Sequence, residues 1–210
     1  RAPVASLLGL TELFDHELPA DERKEFIEAI RTTALNMDIV FNDLNNMLSQ
    51  SHAVESFERF NFRELFREVR SSFLINIKSS GASVSLECPA ELEMMISIRN
   101  YVHGILYNLI SNALRFADPE RKALILVSVE KADEGIKIKV LDNGVGINLN
   151  SYGNQLFSFY NRLHRTKSGR GLGLYTSKIQ AEALGGSIDV ESIPEKGSTF
   201  TLYIPQNNDT

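Results

Sequence analysis

The most informative stretch of the chain reads Asn108-Leu109-Ile110-Ser111-Asn112-Ala113-Leu114-Arg115-Phe116. Two further motifs follow it, Asp142-Asn143-Gly144-Val145-Gly146-Ile147 and Gly169-Arg170-Gly171-Leu172-Gly173-Leu174. In that order they offer an amide that can ligate a metal, a carboxylate beside flexible backbone, and a glycine-rich start of a helix. A nucleotide needs all three kinds of group, so their succession is more informative than any one of them.

The composition is that of a globular protein of one or two domains, with 210 residues, 43% of them hydrophobic and 23% charged. The net charge of −5 gives no basic field for nucleic acid or for an anionic membrane. The single cysteine, Cys88, allows no intrachain disulfide. No apolar run of about 18 residues and no signal peptide is visible, so we expect a cytoplasmic location and no membrane contact by this stretch. Whether the parent protein is membrane-anchored stays open.

The first fifty or so residues carry two helical apolar stripes that are interrupted at residues 17–21, where Pro19 disfavours helix. The second stripe keeps a spacing of three or four residues through Ile27, Ile30, Ala34, Met37, Phe41, Leu44 and Leu48. We therefore predict an antiparallel helical hairpin over 1–53 that forms a four-helix bundle as a homodimer. The alternative is a hairpin that packs on its own second domain.

Residues 54–210 alternate helical and strand-like patterns after a polar linker at about 50–58. The patterns predict helices over 62–77, 101–116 and 172–184, and strands over 84–88, 94–98, 124–129, 136–141, 187–192 and 199–204. Asp133-Glu134-Gly135 and Glu195-Lys196-Gly197 are the expected hairpin turns. The fold class is therefore α+β, with the hairpin followed by an α/β sandwich built on a mixed sheet.

Asn108 and Asn112 lie four residues apart and share one face of the predicted helix. An amide oxygen can complete the shell of a Mg²⁺ ion that phosphate and water otherwise fill. Arg115, one turn further, can reach a phosphate, and Phe116 can offer a flat apolar wall. Taken alone, the asparagine pair is more typical of an ordinary helix surface or cap.

Asp142 ends an apolar strand and is followed by Gly144 and Gly146. A carboxylate at a strand end in an apolar cleft can accept a hydrogen bond from an adenine amino group, and glycines let the backbone approach the base. The sequence Asp-Asn-Gly is also a strong turn signal, which alone would be the preferred interpretation.

The third motif precedes a helix, whose unblocked N–H groups favour phosphate. A dinucleotide-binding fold is the competing interpretation, but that motif directly follows a strand. Here a polar, basic stretch over 163–168 comes first and is typical of a mobile lid.

With these motifs in this order, the chain resembles the catalytic core of sensor histidine kinases over nearly its whole length. Leu156-Phe157-Ser158-Phe159-Tyr160-Asn161-Arg162 resembles the phenylalanine-containing segment of that family, with Tyr160 where a second phenylalanine is usual. Gly197-Ser198-Thr199-Phe200 resembles its closing strand, and Arg1-Ala2-Pro3 resembles the end of its phosphoacceptor motif. The acceptor histidine is then expected three residues before Arg1, and His16, at the predicted turn, is not a substitute for it.

The resemblance implies ATP and Mg²⁺ as cofactors and a role for each motif residue. Asn112 would bind Mg²⁺ through ATP, Asp142 would bind adenine, and Phe116 would pack near the base. Arg115 and Arg162 would act on the phosphates as catalytic residues together with Asn108. The remaining cofactor-binding residues that it implies are Gly144, Gly146, Gly169, Gly171, Gly173, Leu174 and Ser198, the last supporting Asp142 directly or through water.

Asn108 stands where related ATPases of this fold carry a catalytic glutamate. An amide cannot act as a general base, which disfavours direct hydrolysis of ATP. The expected function is transfer of the γ-phosphoryl group to a histidine and then to an aspartate of a response-regulator receiver domain. The alternatives are an ATPase that drives a conformational clamp and a catalytically silent dimeric binding module.

Overall fold

The structure is a computed structural model that describes residues 56–152, 156–158 and 173–206. The predicted hairpin over 1–53 lies outside the described residues. The described helices and strands, in chain order, are β1 (Glu58–Asn61), α1 (Phe62–Ser71), α2 (Leu74–Ser80), β2 (Ser83–Glu87), β3 (Met94–Ser97), α3 (Arg99–Arg115), β4 (Leu124–Ala132), β5 (Gly135–Asp142), α4 (Leu149–Tyr152), α5 (Gly173–Ala183), β6 (Ser187–Ile193) and β7 (Gly197–Pro205).

A five-stranded sheet in the order β2-β4-β5-β7-β6 forms the centre of the fold. Strands β2 and β4 run parallel and the other neighbours run antiparallel, so the predicted mixed sheet is confirmed. Both predicted hairpins are present, with Ala132 opposite Gly135 and Ile193 opposite Gly197. Strands β1 and β3 form a separate antiparallel pair.

Alternation along the strands gives the sheet one buried face. Its buried residues include Ile125, Val127, Val129, Ile136, Ile138, Val140, Phe200, Leu202 and Ile204. Helices α1, α3 and α5 contact this sheet, and α3 contributes a buried stripe of Val102, Ile105, Leu106, Leu109, Ile110 and Ala113. This is the predicted α/β sandwich, in which apolar burial supplies the main driving force. Among the helices of the described part, none is long and apolar enough to cross a membrane.

Two local predictions were wrong. The helix predicted over 62–77 is divided into α1 and α2, because the chain forms a turn at Ser72 and Phe73 leaves helical geometry. Phe73 is buried, with its ring 4.7 Å from that of Tyr107. Strand β1 begins inside the predicted linker. Its pairing with β3 is a long-range event, and its residues Glu58 and Arg59 show no apolar alternation.

Candidate nucleotide-binding site

A cleft of about 460 Å³, measured to its open mouth, lies where the end of α3, the end of β5 and the start of α5 come together. The predicted site residues that line it are Asn112, Phe116, Asp142, Gly146, Leu174 and Ser198. Three motifs that are distant in the sequence therefore meet at one cleft.

Asp142 is the last residue of β5 and the only charged group that lines the cleft in the described structure. Its Oδ1 atom accepts the backbone N–H of Gly144 at 2.8 Å. Partial burial raises the pKa of the Asp142 carboxyl above its usual range, and the N–H groups of Gly144 and Ser198 and the charge of Arg121 act in the opposite direction. The site thus holds a carboxylate whose ionised form is disfavoured by its mostly apolar surroundings.

The loop after Asp142 needs both of its glycines. A Cβ on Gly144 would lie 2.5 Å from the carbonyl oxygen of Phe116, to which Val145 N–H donates at 3.0 Å. Gly146 has a left-handed φ of 69°, and a Cβ there would collide with the carbonyl group of Ile193. The absence of side chains at these two positions therefore lets the loop pack closely against the Phe116 and Ile193 carbonyl groups.

Ser192 on β6 is a residue that the sequence did not indicate. Its hydroxyl accepts the N–H of Ile147 at 2.8 Å, donates to the carbonyl of Gly197 at 2.8 Å and lies 3.0 Å from Ser198 Oγ. Ser198 was expected to support Asp142, and it does so through its backbone N–H, whereas its hydroxyl is engaged with Ser192. A single serine in a strand gives no sequence signal for this role.

Arg121, in the loop between α3 and β4, was also missed. Its Nη2 atom donates to the carbonyl of Gly144 at 2.8 Å and to the carbonyl of Glu195. The neighbouring Asn143 fixes the same loop from the other side, since its amide donates to Lys122 O at 2.9 Å and accepts Leu124 N–H at 2.8 Å. The loop that follows β5 is therefore held by both side-chain and backbone bonds.

Asn108 does not line the cleft. Its Nδ2 atom donates to Gly173 O at 3.3 Å and to Ser177 Oγ at 3.4 Å, so its amide joins α3 to the first turns of α5. Arg115 is exposed in the last turn of α3, next to the cleft residue Phe116. The predicted residues Arg162, Gly169 and Gly171 lie outside the described residues.

The apolar part of the cleft was only partly anticipated. Its other lining residues are Ala113, Val145, Ile147, Leu156 and Phe200. Phe200 could have been found from the alternation of β7, because it shares the buried face with Leu202 and Ile204. Apolar walls around a single carboxylate suit a flat ring that carries an amino donor, and the amide of a lining asparagine suits a metal ion bound to the charged end of the same ligand.

Comparison with known proteins agrees with this geometry. The family model "Histidine kinase-, DNA gyrase B-, and HSP90-like ATPase" matches residues 98–208. The chain is 29% identical over 215 residues to the aerobic respiration control sensor protein ArcB of Escherichia coli, which covers 97% of this chain and 27% of ArcB. It is 28% identical over 212 residues to the sensor histidine kinase ZraS of Klebsiella oxytoca, covering 99% of this chain and 44% of ZraS.

Among solved structures, the nucleotide-free catalytic domain of histidine kinase ThkA superposes with a TM-score of 0.62 at 27% identity, over 71% of this chain and 95% of that one. The chain spans less than half the length of the two curated relatives named above. The matched family covers the whole cleft, from the asparagine stretch to the closing strand. The chain therefore belongs to the histidine kinase-, DNA gyrase B- and HSP90-like ATPases, and its described part is an ATP-binding catalytic domain of the sensor histidine kinase kind.

Proposed function

We propose that this chain is the catalytic part of a kinase that binds Mg-ATP and transfers its γ-phosphoryl group to a histidine, from which an aspartate of a response-regulator receiver domain takes it. The observation that carries this proposal is the cleft itself. It places one carboxylate, Asp142, among apolar walls, with the amide of Asn112 lining it from the last turn of α3.

In this proposal Asp142 accepts the amino group of adenine and Phe116 forms a wall of the base site. The donor set suits Mg²⁺, which commonly takes one or two protein ligands together with phosphate oxygens and water. Asn112 would supply that ligand, since a neutral amide oxygen is a hard donor. The bound ion would neutralise charge that develops on the phosphates.

The phosphate end of the nucleotide would meet Arg115 and Arg162, and the backbone of Gly169, Gly171 and Gly173 would approach it closely. Phosphoryl transfer depends mainly on positioning and charge neutralisation, which arginines and helix N-termini supply. Gly173 begins α5, so the third motif ends at a helix start that can favour a phosphate.

The state of Asn108 favours a kinase over an ATPase. A hydrolytic enzyme needs a group that takes a proton from the attacking water, and a carboxamide has no such basicity. In addition, the Asn108 amide is already engaged with Gly173 and Ser177. The nucleophile in our proposal is instead an imidazole, which attacks phosphorus without needing a water to be activated.

The partners are a second copy of the chain and a receiver domain, and the proposed location is the cytoplasm. Dimerisation would use the predicted hairpin over 1–53, whose heptad-like stripe is the support for it. The histidine is proposed to lie three residues before Arg1, on the first helix of that hairpin. No contact with nucleic acid or with a membrane is part of the proposal.

Labelling with γ-radiolabelled ATP tests this function. The 210-residue chain should bind ATP but form no acid-labile phosphate, and a chain extended by its natural upstream residues should become labelled. Asn112→Ala in the extended chain should abolish labelling because Mg²⁺ loses a ligand, whereas Asn100→Ala, on the exposed start of the same helix, should not. Steady release of inorganic phosphate without labelling would contradict a kinase.

A further inference from the structure

The side chain of Arg121 lies between three segments that come together beside the cleft. One nitrogen, Nη2, donates to Gly144 O at 2.8 Å and to Glu195 O, and it lies 3.2 Å from the carboxylate of Asp118. These partners belong to the loop after β5, the β6–β7 turn and the loop after α3. Arg121 itself does not line the cleft.

The bonds of Arg121 hold the loop that directly follows Asp142. Gly144 donates its N–H to Asp142 at 2.8 Å, and its carbonyl is the one that Arg121 holds. The next carbonyl, that of Val145, accepts the N–H of Glu195 at 2.7 Å, and Glu195 has a left-handed φ of 67°. Two successive peptide groups of the loop are thus tied to one turn, and Arg121 bonds both the loop and that turn.

We propose that Arg121 is a positioning residue for base recognition, which fastens the 143–147 loop to the 194–197 turn and so fixes how the Asp142 carboxylate faces the cleft. This rests on the proposed function, in which Asp142 binds the adenine amino group. The bond to Asp118 is of lesser weight, because 37% of the Arg121 side chain is exposed and ion pairs in such positions contribute little.

Arg121 also acts on Asp142 through its charge. Burial raises the pKa of Asp142, and the guanidinium group favours the ionised form, together with the N–H groups of Gly144 and Ser198. Among the described residues, Arg121 is the charged group that acts on this carboxylate. Geometry and charge can be separated, because lysine keeps the charge but lacks the guanidinium group whose Nη2 atom bonds both carbonyls.

The test is calorimetric titration of the whole 210-residue chain with adenosine, ADP and a non-hydrolysable ATP analogue. Arg121→Ala should weaken all three by a similar factor, about tenfold, because the loss is at the base end that they share. The matched control is Arg63→Ala. Arg63 also donates Nη2 to a carbonyl, that of Cys88 at 3.0 Å, and pairs with Glu93, and its side chain is 41% exposed, yet it lies outside the cleft. The Arg63→Ala variant should bind all three ligands with wild-type affinity.

A second arm measures adenosine affinity against pH. On acidification, Arg121→Ala should lose adenosine affinity at a higher pH than the wild type, since the Asp142 carboxylate becomes protonated more easily. The midpoint pH of this loss should stay near the wild-type value in Arg121→Lys. Should Arg121→Ala fail to fold, Arg121→Gln must show the same displaced midpoint.

Unchanged adenosine affinity in Arg121→Ala, a loss confined to the ATP analogue, or a wild-type midpoint in the neutral variants would each overturn the inference. A wild-type chain that binds none of the three ligands would overturn the proposed function, and the inference with it.

Discussion

The amide nitrogen of Asn108 lies 3.3 Å from the carbonyl oxygen of Gly173, the first residue of α5. The bond joins a residue of the first motif to the last glycine of the third. Asn112, one turn further along α3, lines the cleft. Helix α3 therefore links the position of Asn112, the candidate metal ligand, to the position of Gly173 at the end of the glycine motif.

Asn108→Asp should destabilise the chain, since a carboxylate cannot donate to the carbonyl of Gly173 and places a charge beside it. We expect a loss of about 1–3 kcal/mol in the free energy of unfolding, measured by urea denaturation at pH 7. Ser177→Ala is the control, because it removes one acceptor and leaves the Gly173 bond, and it should cost about 1 kcal/mol. A fully stable Asn108→Asp variant would contradict the structural role of this amide.

Asp142→Asn should weaken ATP binding by roughly 10- to 100-fold, because a charged hydrogen bond contributes about 1.5–3 kcal/mol. Calorimetric titration with an ATP analogue measures the change. Asp189→Asn, on the exposed side of β6, makes the same substitution away from the cleft and should leave the affinity unchanged. Equal affinities for the wild type and Asp142→Asn would remove Asp142 from the base site.

The same variant should stabilise the ligand-free chain at neutral pH. The folded state raises the pKa of Asp142, so it holds the proton more tightly than the unfolded state does. The contribution of this carboxyl to stability is therefore greatest at low pH and is lost as pH rises from the ordinary carboxyl pKa of about 4 through the raised pKa of the folded state. Thermal unfolding without nucleotide should show a higher Tm for Asp142→Asn at pH 7, and the advantage should shrink on acidification. A lower Tm at pH 7 would contradict this.

Gly144→Ala should damage both stability and nucleotide binding, because its new methyl group would meet the carbonyl of Phe116 at 2.5 Å. Overpacking of this kind costs about 1–3 kcal/mol. Gly81→Ala is an informative control, since Gly81 has a left-handed φ of 67° but open space around its Cβ position. It should lose about 1–2 kcal/mol of stability from backbone strain alone and keep full affinity for ATP. Equal affinity losses in the two variants would show that the effect is not local to the cleft.

If the proposed dimer forms through the heptad stripe, Leu44→Glu should convert it into a monomer, because a charge on that stripe is costly to bury. Light scattering measures the mass, and circular dichroism should show that the ATP-binding domain remains folded. Asn45→Glu adds the same charge beside the stripe and should leave the dimer intact. A dimeric Leu44→Glu protein would place the interface elsewhere.

Much of the fold and half of the site could be predicted from local pattern. Strands β4, β5 and β7 were found to within a few residues, because alternating apolar residues end at clear turn signals. Asn112 and Asp142 were predicted because each belongs to a motif with a chemical reason for its spacing, and their roles stay predictions. Both line one cleft, as the order of the motifs implied.

Arg121 and Ser192 could not be found in this way. Their partners are backbone groups such as Gly144 O and Ile147 N–H, which strand pairing brings near from distant parts of the chain. A carbonyl group is the same in every residue, so such a bond leaves no pattern of side-chain types in the sequence. The break between α1 and α2 was missed for a related reason, since Phe73 is drawn inward by tertiary packing against local helix propensity.

The place of β7 in the sheet has a consequence for how the protein is made. Strand β7 is the last to be synthesised of the described strands, yet it lies between β5 and β6, and the turn that enters it holds the loop beside Asp142. While β7 is still in the ribosome, β5 lacks its neighbour and the loop lacks its anchor. A nascent chain, or one that terminates before β7, would therefore present Asp142 on an unpaired edge of β5 and without the turn that holds the following loop.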